Sequence, residues 1–163
     1  MIEKAKTRIL FVCLGNICRS PLAEAVAARD FARAGLDIAV ASAGTGDWHV
    51  GGPADPRALA VARAHGYTLD AHRARQVVID DFNRYDWLLA MDRANLAALR
   101  ALRPTDAPAR VSLLLDAAGI DAEGEVPDPY FGDDTGFDDV LNLLQGAIDA
   151  LGPRLARAES ARG

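Results

Sequence analysis

Four short apolar runs recur along the chain and are separated by longer segments of mixed polarity. The runs cover residues 9–12, 36–41, 85–91 and 110–115. A continuous apolar run of this length is typical of a parallel strand that is buried on both faces. The pattern therefore predicts four strands, and the small residues 42–46 predict a flexible turn after the second one.

The segments between these runs carry helix signals. Residues 20–34 and 56–65 each end at a glycine, and the second follows the N-cap and proline pair Asp55-Pro56. Asp92 is placed to cap a helix that reaches residue 102. Apolar residues spaced three and four apart predict a last helix, which buries Phe137, Val140, Leu141, Leu144, Ile148, Leu151 and Leu155 on one face. We expect the tail after Arg157 to fray, and residues 67–80 indicate no particular element.

Strands and helices alternate four times, without repeats or low-complexity linkers. This alternation predicts an α/β fold with a twisted parallel sheet, helices on both faces and right-handed crossovers. We expect three αβα layers and the Rossmann-like strand order 2-1-3-4, with residues 1–163 forming a single domain. Ligands bind beyond the carboxyl ends of the strands in such sheets, where Cys13, Ser42 and Asp92 would lie.

Composition narrows the class of protein. The chain has 163 residues and a net charge of −5, which argues against a general nucleic-acid binder. No apolar run approaches the ~18 residues of a membrane span, and the first residues lack the apolar core of a signal peptide. We therefore expect no nucleic-acid or membrane partner and a cytoplasmic location. Export without a signal peptide stays open as an alternative.

Residues 12–21 carry the chemistry of the chain. They connect the first predicted strand to the first predicted helix, and a strand, a small-residue loop and a helix N-terminus can direct backbone N–H groups at one anion. Gly15 and Asn16 are the residues that best tolerate the positive φ values that such a loop needs. A nucleotide-binding loop of the Walker type is excluded, because the Gly-Lys-Ser/Thr ending is missing.

Two side chains of this loop predict nucleophilic chemistry on phosphorus. Cys13 follows the strand, and a helix N-terminus and a guanidinium beside it would favour its thiolate. Arg19 follows after five residues, and its planar fork can bind two phosphate oxygens. Ser20 is placed either to cap the helix or to donate a hydrogen bond to the cysteine sulfur, and Pro21 suits the first helical position.

The chain has only two cysteines, and both lie in this loop. A disulfide-stapled secreted fold is therefore not expected, and two cysteines without clustered histidines indicate no metal site. Cys18 either pairs reversibly with Cys13 on oxidation or packs beneath the loop, and the sequence leaves both interpretations open.

Residues 13–21, Cys-Leu-Gly-Asn-Ile-Cys-Arg-Ser-Pro, resemble the signature of the low-molecular-weight protein tyrosine phosphatases. Residues 128–131, Asp-Pro-Tyr-Phe, resemble the second motif of that family, and the chain length is typical of it. The resemblance implies a phosphoric monoester hydrolase that acts on phosphotyrosine proteins without a metal or another cofactor. It also implies the redox role of Cys18, and a supporting role for His72 in a hydrogen-bond network with Asn16, Ser20 and Ser42.

Asp128 is the expected proton donor. The prolines on either side stiffen its backbone, and the apolar neighbours Tyr130 and Phe131 would desolvate its carboxyl group. The resemblance selects the same residue, although an aspartate that only makes a turn is an alternative reading of the sequence alone. In the expected cycle Cys13 attacks phosphorus, Asp128 protonates the leaving oxygen, and Asp128 then activates water to hydrolyse the phosphocysteine.

The remaining expectations concern the ligand. The phosphate oxygens would be bound by Arg19 and by the loop residues Leu14, Gly15, Asn16, Ile17 and Cys18, with inorganic phosphate as product. An aromatic substrate ring would stack between Trp48 and Tyr130, next to Phe131, although Trp48 could instead plug the core. His49 and His65 indicate no catalytic role. The partner would be a phosphotyrosine protein, such as a tyrosine kinase or a host protein.

Three other functions fit the predicted fold less well. An arsenate reductase that passes a disulfide onward needs cysteines outside the loop, and this chain has none. A protein-arginine phosphatase resembles this family but has threonine where Ile17 stands here. A phosphate-binding module without catalysis would need neither the nucleophile Cys13 nor the acid Asp128.

Overall fold

The computed structural model describes residues 6–162. Four parallel strands form one sheet in the order β2-β1-β3-β4, so the predicted α/β class and strand order are confirmed. The strands are β1 (Thr7–Cys13), β2 (Ile38–Gly44), β3 (Trp87–Ala90) and β4 (Arg110–Leu113). The helices are α1 (Arg19–Arg33), α2 (Pro56–Ala64), α3 (Asp81–Arg84), α4 (Arg93–Leu102), α5 (Leu114–Ala117) and α6 (Asp134–Arg162).

Apolar side chains of the central strand β1 point alternately into two cores. Ile9 and Phe11 face one core, which is closed by α1, α2 and α6, whereas Leu10 and Val12 face the other core, which is closed by α3 and α4. All four side chains are fully buried. Because both faces of the strand are covered here, residues 9–12 are continuously apolar, as the pattern indicated. The predicted three layers are confirmed.

Strand β2 differs from its prediction. It begins at Ile38 and continues through residues 42–44, which we expected to form a turn. The cause is tertiary, since β1 pairs with β2 in register along all of its length, from Thr7 opposite Ile38 to Cys13 opposite Gly44. A Cβ atom on Gly44 would lie 2.7 Å from the carbonyl oxygen of Leu14. Glycine is needed at this position because another backbone passes against it.

Several other boundaries were also wrong. Strand β3 is shorter than residues 85–91, and β4 ends at Leu113, where the apolar residues that follow form the short helix α5. The short helix α3 lies at the end of the segment that indicated no element. Helix α6 extends to Arg162, past the expected end at Arg157, although it contains Pro153.

The predicted caps have different outcomes. The carboxylates of Asp55 and Asp92 accept hydrogen bonds from the N–H groups of Arg57 at 2.8 Å and Asn95 at 2.7 Å, so both N-caps are confirmed. Ser20 caps nothing, because α1 begins at Arg19 after the N-cap residue Cys18. Pro21 is therefore the third helical residue rather than the first, and it still lies in the turn where no N–H partner is needed. No helix of the described residues is both long and apolar enough to cross a membrane.

Candidate active site

Residues 14–18, called the phosphate loop below, connect the carboxyl end of β1 to the N-terminus of α1. Asn16 has a φ of 57°, so the expected positive φ is confirmed at this residue. It is wrong for Gly15, which is not among the residues with a positive φ. A Cβ atom at Gly15 would lie 3.1 Å from Cδ2 of His49, so the glycine makes room for that ring instead.

A chain of hydrogen bonds runs beneath the phosphate loop and ends at Cys13. The Oγ atom of Ser20 lies 2.9 Å from Sγ of Cys13 and accepts a 2.8 Å hydrogen bond from Nδ2 of Asn16. The same amide nitrogen donates to Oγ of Ser42 at 3.0 Å, and Ser42 donates to Glu24 at 2.6 Å. A hydroxyl has a single hydrogen, and the sulfur at 2.9 Å is a closer acceptor for it than the backbone oxygen of Ala43 at 3.3 Å. The structure therefore supports the second of the two roles considered for Ser20.

Two residues that follow α2 hold Asn16 from the outside. Nε2 of His72 lies 2.7 Å from the backbone oxygen of Asn16, and the backbone N–H of Arg75 donates to Oδ1 of Asn16 at 2.9 Å. Asn16 is fully buried. His72 thus contacts the loop backbone, in the place that the family resemblance indicated. Glu24 was missed, and its helical position gave no signal of a site.

The guanidinium of Arg19 is buried and lies between two carboxylates. Its Nη1 atom donates to Oδ2 of Asp92 at 2.8 Å and to the backbone oxygen of Val126 at 3.0 Å, and its Nη2 atom lies 3.5 Å from Oδ2 of Asp128. From the sequence, Asp92 was expected at this edge of the sheet, but with no role other than that of an N-cap. The carboxylate does both, because Oδ1 caps α4 and Oδ2 binds Arg19. Its place directly after a strand was the available signal.

A cavity of about 200 Å³ opens above the phosphate loop. Its lining includes Cys13, Arg19, Asp128, Trp48, Tyr130 and Phe131. Trp48 is 69% exposed, so it does not plug the core. His49 also lines the cavity, 6.5 Å from the ring of Tyr130, and was missed because a single histidine in a loop carries no pattern.

The two thiols are both buried and unpaired with each other. Burial raises the pKa of the Cys18 thiol far above its usual range, and the carboxylate of Asp55 adds to the effect. Cys18 is therefore a protonated thiol at neutral pH. Among the described residues, no group of three histidine, cysteine or acidic side chains is arranged to hold a metal ion.

A thiol, a buried arginine and a carboxylic acid around an anion-binding loop define a site for phosphate esters. The model of the family described as low molecular weight phosphotyrosine protein phosphatase matches residues 8–161. A low molecular weight protein-tyrosine-phosphatase of Streptomyces coelicolor is 46% identical over 149 residues, which are 88% of this chain and 90% of that protein. Low molecular weight protein-tyrosine phosphatase A of Mycobacterium tuberculosis is 43% identical over 155 residues, or 91% and 94% of the two chains.

A solved structure agrees with these relatives. The crystal structure of a protein tyrosine phosphatase from Entamoeba histolytica matches with a TM-score of 0.88 and 36% identity, over 94% of this chain and 99% of that one. The chain belongs to the low molecular weight phosphotyrosine protein phosphatase family. It is a protein tyrosine phosphatase, and the resemblance stated from its two motifs is confirmed.

Proposed function

We propose that this protein hydrolyses phosphotyrosine in proteins through a phosphocysteine on Cys13, with Asp128 as general acid and then general base. The observation that carries the proposal is that Cys13, Arg19 and Asp128 all line one cavity above the phosphate loop. A binding module needs only the arginine and the loop. The thiol and the carboxylic acid add the two groups that covalent transfer requires.

The first step breaks the bond between phosphorus and the phenolic oxygen. The Cys13 thiolate attacks phosphorus, a sulfur–phosphorus bond forms, and the electron pair of the broken bond leaves with the phenolic oxygen, which takes a proton from Asp128. Cys18 does not compete as nucleophile, since burial raises the pKa of its thiol. The hydroxyl of Ser20, 2.9 Å from the sulfur, stabilises the thiolate before attack and again when it leaves.

The second step releases phosphate and restores the thiol site. Asp128, now ionised, takes a proton from water, the water oxygen attacks phosphorus, and the sulfur–phosphorus bond breaks, so that Cys13 leaves with the electron pair as a thiolate. In both steps the charge accumulates on three phosphate oxygens, which the backbone N–H groups of residues 14–19 and the fork of Arg19 bind. Asp92 orients the guanidinium of Arg19, because its Oδ2 atom accepts a hydrogen bond from Nη1 at 2.8 Å. No step requires a metal.

The aromatic walls select the ester. Trp48 and Tyr130 line the cavity and are both exposed, and a phenyl ring can stack between them. Ile17 also lines the cavity, and its bulky side chain favours an aryl ester over a guanidinium phosphate. The partner is a phosphotyrosine protein, for which a tyrosine kinase and a host protein are both compatible, and the chain acts as a single domain in the cytoplasm.

One experiment tests the mechanism. Hydrolysis of p-nitrophenyl phosphate is measured in EDTA at mildly acidic pH for the unchanged protein and for Cys13→Ser and Asp128→Ala. We expect metal-independent turnover that Cys13→Ser abolishes and that Asp128→Ala lowers about 10²-fold or more. Phosphotyrosine and phosphoarginine peptides then compare the two ester classes, and we expect release of phosphate from the first. Turnover by Cys13→Ser would contradict the covalent route, and a silent protein that still binds phosphate would support the binding module.

A further inference from the structure

Arg57, the second residue of α2, binds the backbone of the segment that carries Asp128. Its Nη2 atom donates to the carbonyl oxygen of Tyr130 at 2.9 Å, and its Nη1 atom donates to the carbonyl oxygen of Gly132 at 3.2 Å. Residues 127–133, called the acid loop below, thus have two of their carbonyl groups attached to one guanidinium. The fork geometry of arginine allows both bonds at once.

The same guanidinium is attached to the phosphate loop through Asp55. Its Nε and Nη2 atoms donate to the two carboxylate oxygens of Asp55 at 3.1 and 3.0 Å, and the backbone N–H of Asp55 donates to the carbonyl oxygen of Ile17 at 2.9 Å. The side chains of Arg57 and Asp55 are only 31% and 7% exposed. Burial by itself would raise the pKa of Asp55, but the hydrogen bonds from Arg57 lower it, so the pair is ionised at neutral pH.

Two aromatic rings surround the guanidinium. Its central carbon lies 4.6 Å from the ring centroid of Phe137 at the start of α6, and 5.6 Å from that of Tyr130 in the acid loop. These contacts add a cation–π attraction and keep the planar group in place. Arg57 therefore connects α2, α6, the phosphate loop and the acid loop.

The carboxylate of Asp128 has weaker anchors of its own. It accepts a 3.1 Å hydrogen bond from the N–H of Tyr130, which belongs to the same loop, and it lies 3.5 Å from Nη2 of Arg19. Prolines on both sides restrict the backbone of Asp128, so this residue moves together with the acid loop rather than within it. The position of the carboxyl group then depends on what holds that loop.

We propose that Arg57 is a positioning residue that holds the acid loop so that Asp128 reaches the leaving oxygen. The inference rests on the proposed function, because it assigns Arg57 a role only through Asp128. It predicts a selective defect. Loss of Arg57 slows the transfer of the proton to the leaving group, and leaves the attack of Cys13 and the binding of phosphate largely unchanged.

The test compares two leaving groups in kcat/KM, which reports the first chemical step. Phenyl phosphate needs a proton on its leaving oxygen, whereas the dinitrophenolate of 2,4-dinitrophenyl phosphate leaves without one. We expect Arg57→Ala to lower kcat/KM for phenyl phosphate at least tenfold and for the dinitrophenyl ester less than about threefold. Arg57→Lys, which keeps the charge but not the fork, should recover only part of the loss.

Arg63 offers a matched control on the same helix. It pairs with Asp70 on the surface, and its side chain is 64% exposed. Arg63→Ala removes an arginine from α2 without touching the acid loop, so both esters should keep their kcat/KM values. The inference would be overturned if Arg57→Ala lowered kcat/KM equally for both esters, or if Arg63→Ala lowered kcat/KM as much as Arg57→Ala does. The melting temperatures of all variants are measured as well, because they distinguish a folding defect from a displaced Asp128 carboxyl group. If Arg57→Ala does not fold, Arg57→Lys takes its place in the comparison.

A double-mutant cycle with Asp128→Ala gives the decisive comparison. If Arg57 acts through Asp128, then Arg57→Ala costs less than about threefold for phenyl phosphate once Asp128 is absent, since coupled residues do not add. A further tenfold loss in the double variant would mean that Arg57 acts elsewhere. If Asp128→Ala alone affects both esters equally, the proposed role of Asp128 fails. If Asp128→Ala is selective but Arg57→Ala is not, only the inference about Arg57 fails.

Discussion

The shape of the phosphate loop depends on Asn16, whose side-chain amide is buried. Its side chain donates to Ser20 and Ser42 and accepts from the N–H of Arg75, and its backbone adopts a φ of 57°. We consider its replacement by alanine, with glycine at the same position as the matched control. Both variants remove the three hydrogen bonds, but only alanine places a Cβ atom in the left-handed region without a local hydrogen bond to compensate.

The expected loss of stability follows from these contacts. Each hydrogen bond contributes about 1 kcal/mol net, and its loss here leaves buried partners unsatisfied. Three bonds and the ~1 kcal/mol cost of a left-handed alanine give about 4 kcal/mol for Asn16→Ala. Asn16→Gly loses the bonds but avoids the strain, so it should be about 1 kcal/mol more stable than Asn16→Ala. A loss of 4 kcal/mol is a large part of the 5–15 kcal/mol that typically separates folded and unfolded states.

The assay is equilibrium unfolding in urea, followed by tryptophan fluorescence. Trp87 is partly buried at the start of β3 and packs against the larger core, so its emission should change on unfolding. With an m-value near 2 kcal/mol/M, Asn16→Ala should lower the midpoint by roughly 2 M. A loss below about 1 kcal/mol would refute the argument that the network depends on this amide. Equal midpoints for the alanine and glycine variants would refute the strain contribution.

Two further predictions concern Cys18 and Asp92. Because burial raises the pKa of Cys18, its thiol stays protonated at neutral pH. In the variant Cys13→Ser, iodoacetamide should therefore label Cys18 slowly at neutral pH and faster only well above it, as measured by mass spectrometry. Rapid labelling at pH 7 would contradict this. Asp92→Asn keeps an N-cap acceptor for α4 but loses the charge that binds Arg19, so the inhibition constant of phosphate should rise about tenfold, or ~1.4 kcal/mol. An unchanged constant would show that Asp92 only caps the helix.

The unit from β1 to α1 could be predicted because its interactions are local. A buried strand, a loop that needs a positive φ and a helix N-terminus lie within about twenty consecutive residues, so the order of residue types reports the geometry. Asn16 fits this description, with its left-handed backbone and its contacts to the first turn of α1. Gly15 does not, because the reason for its small size is the ring of His49, which lies 34 positions later in the chain.

Residues that were missed or underestimated act across long separations. Asp92 binds an arginine 73 positions away, and Arg57 binds carbonyl groups 73 and 75 positions away. Neither residue type is unusual at its position. An aspartate such as Asp92 commonly caps a helix, and an arginine such as Arg57 in the first turn of a helix needs no special explanation. Asp92 shows that a correct local explanation does not exclude a second role, because one oxygen serves the cap and the other serves the site.

The amino-acid sequence by itself determined the class of fold, the phosphate loop and the family of the protein, because alternation and short motifs are properties of neighbouring residues. Only the tertiary structure decided how far β2 extends, why Gly44 is a glycine, and which carboxylates meet Arg19. These features depend on distances between segments that the sheet brings together at the carboxyl ends of its strands. Such distances follow from packing and register, and packing is settled only when the whole chain has folded.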